Sequence, residues 1–468
     1  MTDSAVAETC RLTVRAPSVT IDLAVPADVP VADLLPTLLR YVGEEAEEAG
    51  LDHAGWVLQR LGDAPLDEET TLARAGLADG AVLHLRPHTE ALPEARLDDL
   101  VDGMAETVGR RLHTWHAGAA RGLLVGTAVA TVATALVMVF RPGVADSAAT
   151  RAACAAVAGV LLLAGAGSAS RAVGDRLSAT ALGLLVAPCF ALVGWVLPGG
   201  DLTGPDAAQV VGARLLAAGA AAAGGAVLAL AATAVGAPAL LATAVVAVAT
   251  AVSGALMGYT SLDAAASVAL VATVVVLAAG AVAPFAFKLA GMRMPALPSS
   301  AGQLQEGIDP YAGDEVAERT ELAGRWVTAL FAATGTIAAA ALAVLAHHPD
   351  LPETLTALAL ALLLLLHARG LVHIGQRLTL AVPGILGLLL LARAWAVDSD
   401  ADGRVIVFAV LLASAAALVT ASWIVPGRRV LPYWGRAAEL AHTGFAVALL
   451  PFALWVAGLF GWLRGLFG

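Results

Sequence analysis

His347-His348-Pro349-Asp350-Leu351-Pro352-Glu353 is the densest set of metal-ligating side chains in the chain. A zinc-type ion needs three or four ligands converging on one point, and neighbouring histidines rarely aim at the same ion. No further His or Cys pair accompanies them, so the stretch reads as a polar loop at a membrane interface, broken twice by proline. His113 and His116 stand three apart on one helical face and read as interfacial side chains. Glu439 and His442, also three apart, read as a paired polar contact rather than a proton relay. Lys288, the only lysine, lies in PFAFKLAG, without the glycines of a phosphate-binding loop, so nucleotide hydrolysis by that route is excluded. No Gly-x-Ser-x-Gly, Cys-x-x-Cys or His-Glu-x-x-His pattern occurs. No residue is therefore assigned as catalytic, cofactor-binding or metal-ligating, and the expectation is a non-enzyme with no cofactor.

The elements that would have to position any chemistry are mostly apolar. Of 468 residues 59% are hydrophobic and only 14% charged, against about 25% charged in soluble domains. From residue 122 onward apolar runs alternate with short polar breaks, and run after run meets the roughly 20 residues that a bilayer core about 30 Å thick demands. Eleven spans are expected: 122–140, 152–169, 177–197, 213–235, 237–258, 264–286, 326–346, 353–367, 376–395, 405–425 and 437–463. The break between Lys288 and Arg325 is the only long one and divides them six and five. Nearly every charge, including Arg214, Arg393 and Glu439, sits at a span edge, which disfavours an ion-coupled transporter.

Arginine and lysine counts orient the array. The segments before span one and after spans two, six, eight and ten hold 14 of them, the other side six. The positive-inside rule then puts the N-terminus and the 288–325 loop in the cytoplasm and Gly468 outside. Trp115, Trp195, Trp326, Trp395, Trp423, Trp434 and Trp462 fall near span ends, as an interfacial aromatic belt would place them. Ala- and Gly-rich span four and the Gly254–Gly258 segment of span five permit close helix approach and should be interior. Leu-rich span eight should face lipid. Cys154 and Cys189 lie in apolar runs and Cys10 near the start, so no disulfide framework is implied.

The formal charge of −11 arises in the first hundred residues, where 19 acids face 7 arginines. A contiguous basic face for nucleic acid is lacking, so a nucleic-acid partner is excluded. The opening residues lack a basic-then-apolar signal pattern, so residues 1–120 are expected to stay cytoplasmic. Residues 10–16 and 18–25 alternate as paired strands, Val31 to Val42 recurs at helical spacing, and 56–60 and 81–85 read as two more strands. Residues 92–120 place Leu97, Leu100, Val101, Met104, Val108, Leu112 and Trp115 on one helical stripe, suited to a partner helix or the membrane surface.

The hairpin closing at Pro26, the single helix and the tail TLARAGLADGAVLHLRP (Thr71–Pro87) resemble a ubiquitin-like β-grasp domain. The chain continues past Pro87 without Gly-Gly, the domain has no lysine, and Gln59 and Arg86 stand where ubiquitin shows its apolar patch. Docking, not conjugation, is the role left open. With eleven spans and the loop opening KLAGMRMPALPSSAGQL from Lys288, the whole chain resembles EccD, the polytopic membrane component of actinobacterial type VII (ESX) secretion systems. The Ala- and Arg-rich, Lys-poor composition suits such a source.

The expected fold is therefore multi-domain: an α+β ubiquitin-like (YukD-like) β-grasp domain at 1–90 and an amphipathic linker helix at 91–121, followed by an all-α polytopic membrane domain. In that domain helices 1–6 fill 122–287, a cytoplasmic loop 288–325, and helices 7–11 326–468. The resemblance implies a multi-pass protein of the inner (plasma) membrane, a scaffold or channel component that pairs as a homodimer around a lipid-filled space. Its ubiquitin-like domain would hold an EccC-type motor ATPase together with EccB and EccE. The competing reading is a transporter or lipid flippase with a regulatory β-grasp domain. A membrane enzyme using the His347–Glu353 loop is a third.

Overall fold

The computed structural model describes residues 9–88 apart from 18, 27, 43–54, 62, 73 and 78, then 117–141, 147–292, 313–424 apart from 348, and 432–467. The chain forms two compact units, residues 1–116 and 117–468. The 92–116 part of the expected linker helix, with His113, His116 and Trp115, lies outside the described residues, as do 293–312 of the long loop.

In the first unit β1 (Thr9–Arg15) and β2 (Thr20–Pro26) form an antiparallel hairpin, followed by α1 (Val31–Val42), β3 (Trp56–Gln59) and β4 (Ala81–Pro87). The sheet order is β2-β1-β4-β3, with β1 and β4 parallel and the outer pairs antiparallel. Strand alternation does the sorting, since successive side chains point to opposite faces. Leu12, Val14, Leu83 and Leu85 point inward onto Val31, Leu34 and Leu38 of α1, with Leu58, Leu72 and Leu77 closing the core. The first-turn amides of α1 are satisfied by the chain rather than by a side-chain cap: Val31 N donates to Thr70 O and Ala32 N to Glu68 O. Gln59 is fully buried, its amide donating to Asp63 O at 2.6 Å. The expectation that it holds a surface-patch position is corrected: the turn after β3 folds over it.

Among the described residues of the second unit, eleven helices are long and apolar enough to cross a membrane. They are α2 (Ala117–Val139), α3 (Ala148–Ser168, continued by a π turn to Val173), α4 (Arg176–Val196), α5 (Ala207–Thr233) and α6 (Ala237–Tyr259). After them come α7 (Ala264–Ala278, leading through a 3-10 turn into α8, Val282–Leu289), α9 (Gly313–Leu345), α10 (Leu351–Arg369), α11 (Ile374–Asp398), α12 (Ala401–Ile424) and α13 (Pro432–Val456). A short α14 (Leu459–Phe467) follows the last span, and Gly458 between them takes φ +76°. The single last span expected over 437–463 is thus broken, because that left-handed turn is open to glycine and ends the helix.

The stretch expected as loop up to Arg325 is helical from Gly313. Ion pairs one turn apart, Glu315–Arg319 and Glu321–Arg325 (2.5 Å), support this polar first third of α9.

Packing in α5 and α6 follows the expected logic of small residues. A Cβ placed on Gly254 would sit 2.3 Å from Leu216 N, and one on Gly219 2.4 Å from Ala251 N, so the two backbones touch directly. Several hydroxyls inside the spans turn back on their own helix, as Thr250 Oγ1 does to Val246 O and Ser253 Oγ to Ala249 O, which satisfies them without water, whereas buried Ser267 Oγ and Thr273 Oγ1 of α7 have no partner among the described residues.

The six-and-five division of the sequence is not a division in space. One core unites α7 (Ala272, Val276), α9 (Phe331, Ala338, Leu342), α10 (Leu360, Leu364) and α13 (Leu449, Ala453). Leu-rich α10 therefore lies inside, with Leu360, Leu363 and Leu364 buried, and its expected lipid exposure is overturned. Bulky leucines fill space against alanine-rich neighbours as readily as they meet acyl chains. Trp326 is likewise buried, against Ala286, Ala290 and Ala323, and does not belong to an aromatic belt. Trp395, Trp423, Trp434 and Trp462 remain exposed near helix ends.

Candidate functional sites

On the outward face of the β-grasp sheet, β1 presents Arg11 and Arg15, and β4 presents Val82, His84 and Arg86 between buried Ala81, Leu83, Leu85 and Pro87. The register sets Arg15 beside His84 and Thr13 beside Val82. Two acids border the face: Asp22, which accepts from Thr13 Oγ1 at 2.6 Å, and Asp63, which shares a surface hollow with Val82. A domain whose sum is strongly acidic thus shows a basic strip on its sheet. Composition concealed this segregation, which is readable only once strand register assigns alternate residues to one face. Behind the sheet, Cys10 is buried, and burial together with nearby Asp79 raises its thiol above the usual range.

At the membrane unit, the side from which α2 enters is tied together by polar contacts. Arg121 of α2 pairs with Asp175 at 2.5 Å in the turn between α3 and α4. Asp175 also accepts from Ser178 N (3.1 Å) and Ser178 Oγ (2.5 Å), capping α4. Arg121 and then Ser178 hold this carboxyl well below the usual carboxylate range. Ser170 and Arg171, on the π turn ending α3, donate to Thr233 O and Ala231 O at the end of α5. On the opposite side Arg214 donates to Gly199 O and Gly200 O and lies 5.7 Å over the Trp195 ring, pinning the loop between α4 and α5.

Among the described residues, the expected polar pairs are rearranged. His442 does not pair with Glu439, which is exposed. Its Nε2 instead meets His367 Nδ1 of α10 at 3.4 Å, and His367 stands edge-on to Phe331. Helix spacing suggested the local pair, but the imidazole faces the α10 interface and the carboxylate does not. Around the His347 loop, Glu353 enters the first turn of α10, with Oε2 buried and unpartnered, while His348 lies outside the described residues. Among the described residues no three His, Cys, Asp or Glu side chains gather as a metal site would require.

Comparison with known proteins identifies this architecture. The profile of the EccD-like transmembrane domain matches residues 120–466, and that of the WXG100 protein secretion system protein YukD matches residues 9–85. The chain belongs to the EccD family. Over 476 aligned residues, and 97% of both chains, it is 29% identical to the ESX-4 secretion system protein eccD4 of Mycobacterium tuberculosis. Among solved structures, protomer 1 of an ESX-3 core complex aligns over 97% of this chain and 100% of that one, with TM-score 0.55 and 18% identity. A chain of the MycP5-free ESX-5 inner membrane complex, in its State II, aligns over 88% and 99%, with TM-score 0.56 and 20% identity. As in the EccD family, then, a ubiquitin-like domain precedes a multi-pass transmembrane domain.

Proposed function

We propose that this EccD-family chain is a non-enzymatic scaffold of a type VII (ESX) secretion complex in the inner membrane. The observation that carries the reading is one chain joining a YukD-type domain, over residues 9–85, to an EccD-like transmembrane domain, over residues 120–466. The ESX-4 relative, aligned end to end, supports the assignment to secretion.

Within that role residues 1–90 dock the motor ATPase, an EccC-type protein, alongside EccB and EccE. Residues 91–121 link the dock to the spans, and the helices on either side of the 288–325 loop form the membrane body. The N-terminus and that loop face the cytoplasm, following the bias of basic residues. The body pairs with a second copy around lipid. Two spans are poised for such contacts: among its described residues α2 has none buried, and in α12 only Val407 is buried.

The sheet's basic strip changes what the dock selects. Arg11, Arg15 and Arg86 call for an acidic face on the partner, whatever the domain's net charge, and a rim of such charges makes capture salt-sensitive. Co-purification tests this. Deleting residues 1–90 should leave the spans inserted but abolish recovery of the ATPase and stop export, and Arg15→Glu with Arg86→Glu should weaken recovery in the intact chain. Equal ATPase recovery and intact export from the truncated protein would sink the docking role and favour a transporter with a regulatory domain.

A further inference from the structure

A cleft of about 1610 Å³ opens on the α2-entry side of the membrane unit, between the starts of α4, α6 and α11 and the flank of α9. Its lining runs along α9 from Ala317 to Ala332, about 22 Å at 1.5 Å per residue. The whole of α9, at 33 residues, is about 50 Å long, against a hydrocarbon core of about 30 Å. One end of the cleft therefore stands at headgroup level and the other within the acyl layer.

Chemistry divides along the same axis. Arg176, Glu321, Arg325 and His373 line the polar end, and Ala239, Ala329 and Ala332 belong to the apolar part. Arg325 is paired with Glu321, whereas Arg176 has no ion pair among the described residues. Gln376, 7% exposed, also lines the cleft. Its amide nitrogen reaches Gly324 O at 3.4 Å, and its side-chain oxygen has no hydrogen-bond partner among the described residues. That oxygen stays accessible, so water or a ligand hydroxyl can donate to it. The helix starts add to the field: neither Gly236 before α6 nor His373 before α11 makes a side-chain cap bond, so the first-turn amides of α11, and those of Ala237 and Ala239 on either side of Pro238 in α6, are left to solvent or ligand. Exposed Val372 and Ile374 at the rim suit a membrane interface better than water.

We infer that this cleft binds one anionic phospholipid, its phosphate on Arg176 and the α6 and α11 starts, a headgroup hydroxyl donating to Gln376, and an acyl chain along Ala329 and Ala332. A soluble anion would leave the apolar length of the cleft unfilled, and a zwitterionic lipid, though its phosphate can meet Arg176, would bring a cation of its own to an end where Glu321 is already paired with Arg325. Every residue that lines the site belongs to a single chain. It rests on the membrane reading alone and stands whether or not the chain serves secretion; only the identity of the leaflet follows from the proposed orientation.

The test uses the full chain in nanodiscs of equal phosphatidylglycerol and phosphatidylcholine, released and weighed by native mass spectrometry. One phosphatidylglycerol should be retained in preference. Arg176→Gln should lower that preference about fivefold, the factor matching about 1 kcal/mol for one cation near anionic lipid. Ala332→Phe should lower retention by filling the tail channel with every charge intact, and Arg393→Gln, at the other end of α11, should change nothing. If Arg176→Gln does not stay monodisperse, Ala332→Phe carries the test. Equal retention of the two lipids, undiminished retention in both cleft variants, or displacement by millimolar inorganic phosphate would overturn the proposal.

Discussion

Asp175 shows how much a single side chain settles in this molecule. It accepts from Arg121 of α2 and caps α4 through Ser178, so one carboxylate joins the first span to the turn between the next two. Its proton affinity is depressed, so its contribution is present above the ordinary carboxylate pKa of about 3.9 and is lost as pH falls through the lower folded-state value. The difference in unfolding midpoint between the wild-type protein and Asp175→Asn should therefore be flat from pH 8 to pH 5 and shrink only in stronger acid; a difference that fades near neutral pH would contradict the assignment. In the β-grasp domain the corresponding residue is Leu38, 3% exposed beneath the sheet. With residues 1–90 produced alone, Leu38→Ala should cost about 2–5 kcal/mol in urea unfolding. Tyr41→Ala, at a 69% exposed site on the same helix, should stay within about 0.5 kcal/mol. Failure of that segment to fold by circular dichroism would show that its core, which lies wholly within residues 10–85, needs partners.

Elements were legible wherever length or alternation carried the signal, and illegible wherever the solvent did. Strands of period two and eleven apolar runs could be read directly, because backbone pairing and bilayer thickness each impose a length. Burial inside the membrane could not: lipid is as apolar as leucine, so α10 and Trp326 gave no sign that they lie in the core. The polar third of α9 was invisible for the opposite reason, since its support comes from Glu–Arg pairs rather than apolar residues. What did carry through is the small-residue contact of α5 with α6, where no side chain separates the backbones. Gly254→Leu should force them apart and lower the thermal midpoint of the detergent-solubilised protein, the cost being about 1–3 kcal/mol or more for overpacking. Gly224→Leu is the matched control, because a Cβ there meets nothing within 4 Å. Equal midpoints would mean that α5 and α6 can slide without loss.

At the scale of the whole molecule, topology decides which charged surfaces meet which partners. The side from which α2 enters carries Arg121, Arg171, Arg176, Arg319, Arg325, Arg369 and Arg377, several of them bound to helix ends or to one another. Retention of basic loops at the cytoplasm is a property of insertion rather than of packing, and eleven helices long and apolar enough to cross, counted among the described residues, would put the two ends of the array on opposite sides if each crosses once. If the entry side is cytoplasmic, the proposed dock, the long loop and the lipid cleft all face the compartment that supplies the motor. A phosphatase fused after Gly468 should then be active and one inserted within Ser299–Asp309 silent. The break at Gly458 does not alter this expectation, since the nine residues of α14 span only about 14 Å and are too short to cross back. Activity at the loop fusion with silence at Gly468 would reverse the orientation and move the cleft's lipid to the outer leaflet, whereas activity at both would require an even number of crossings.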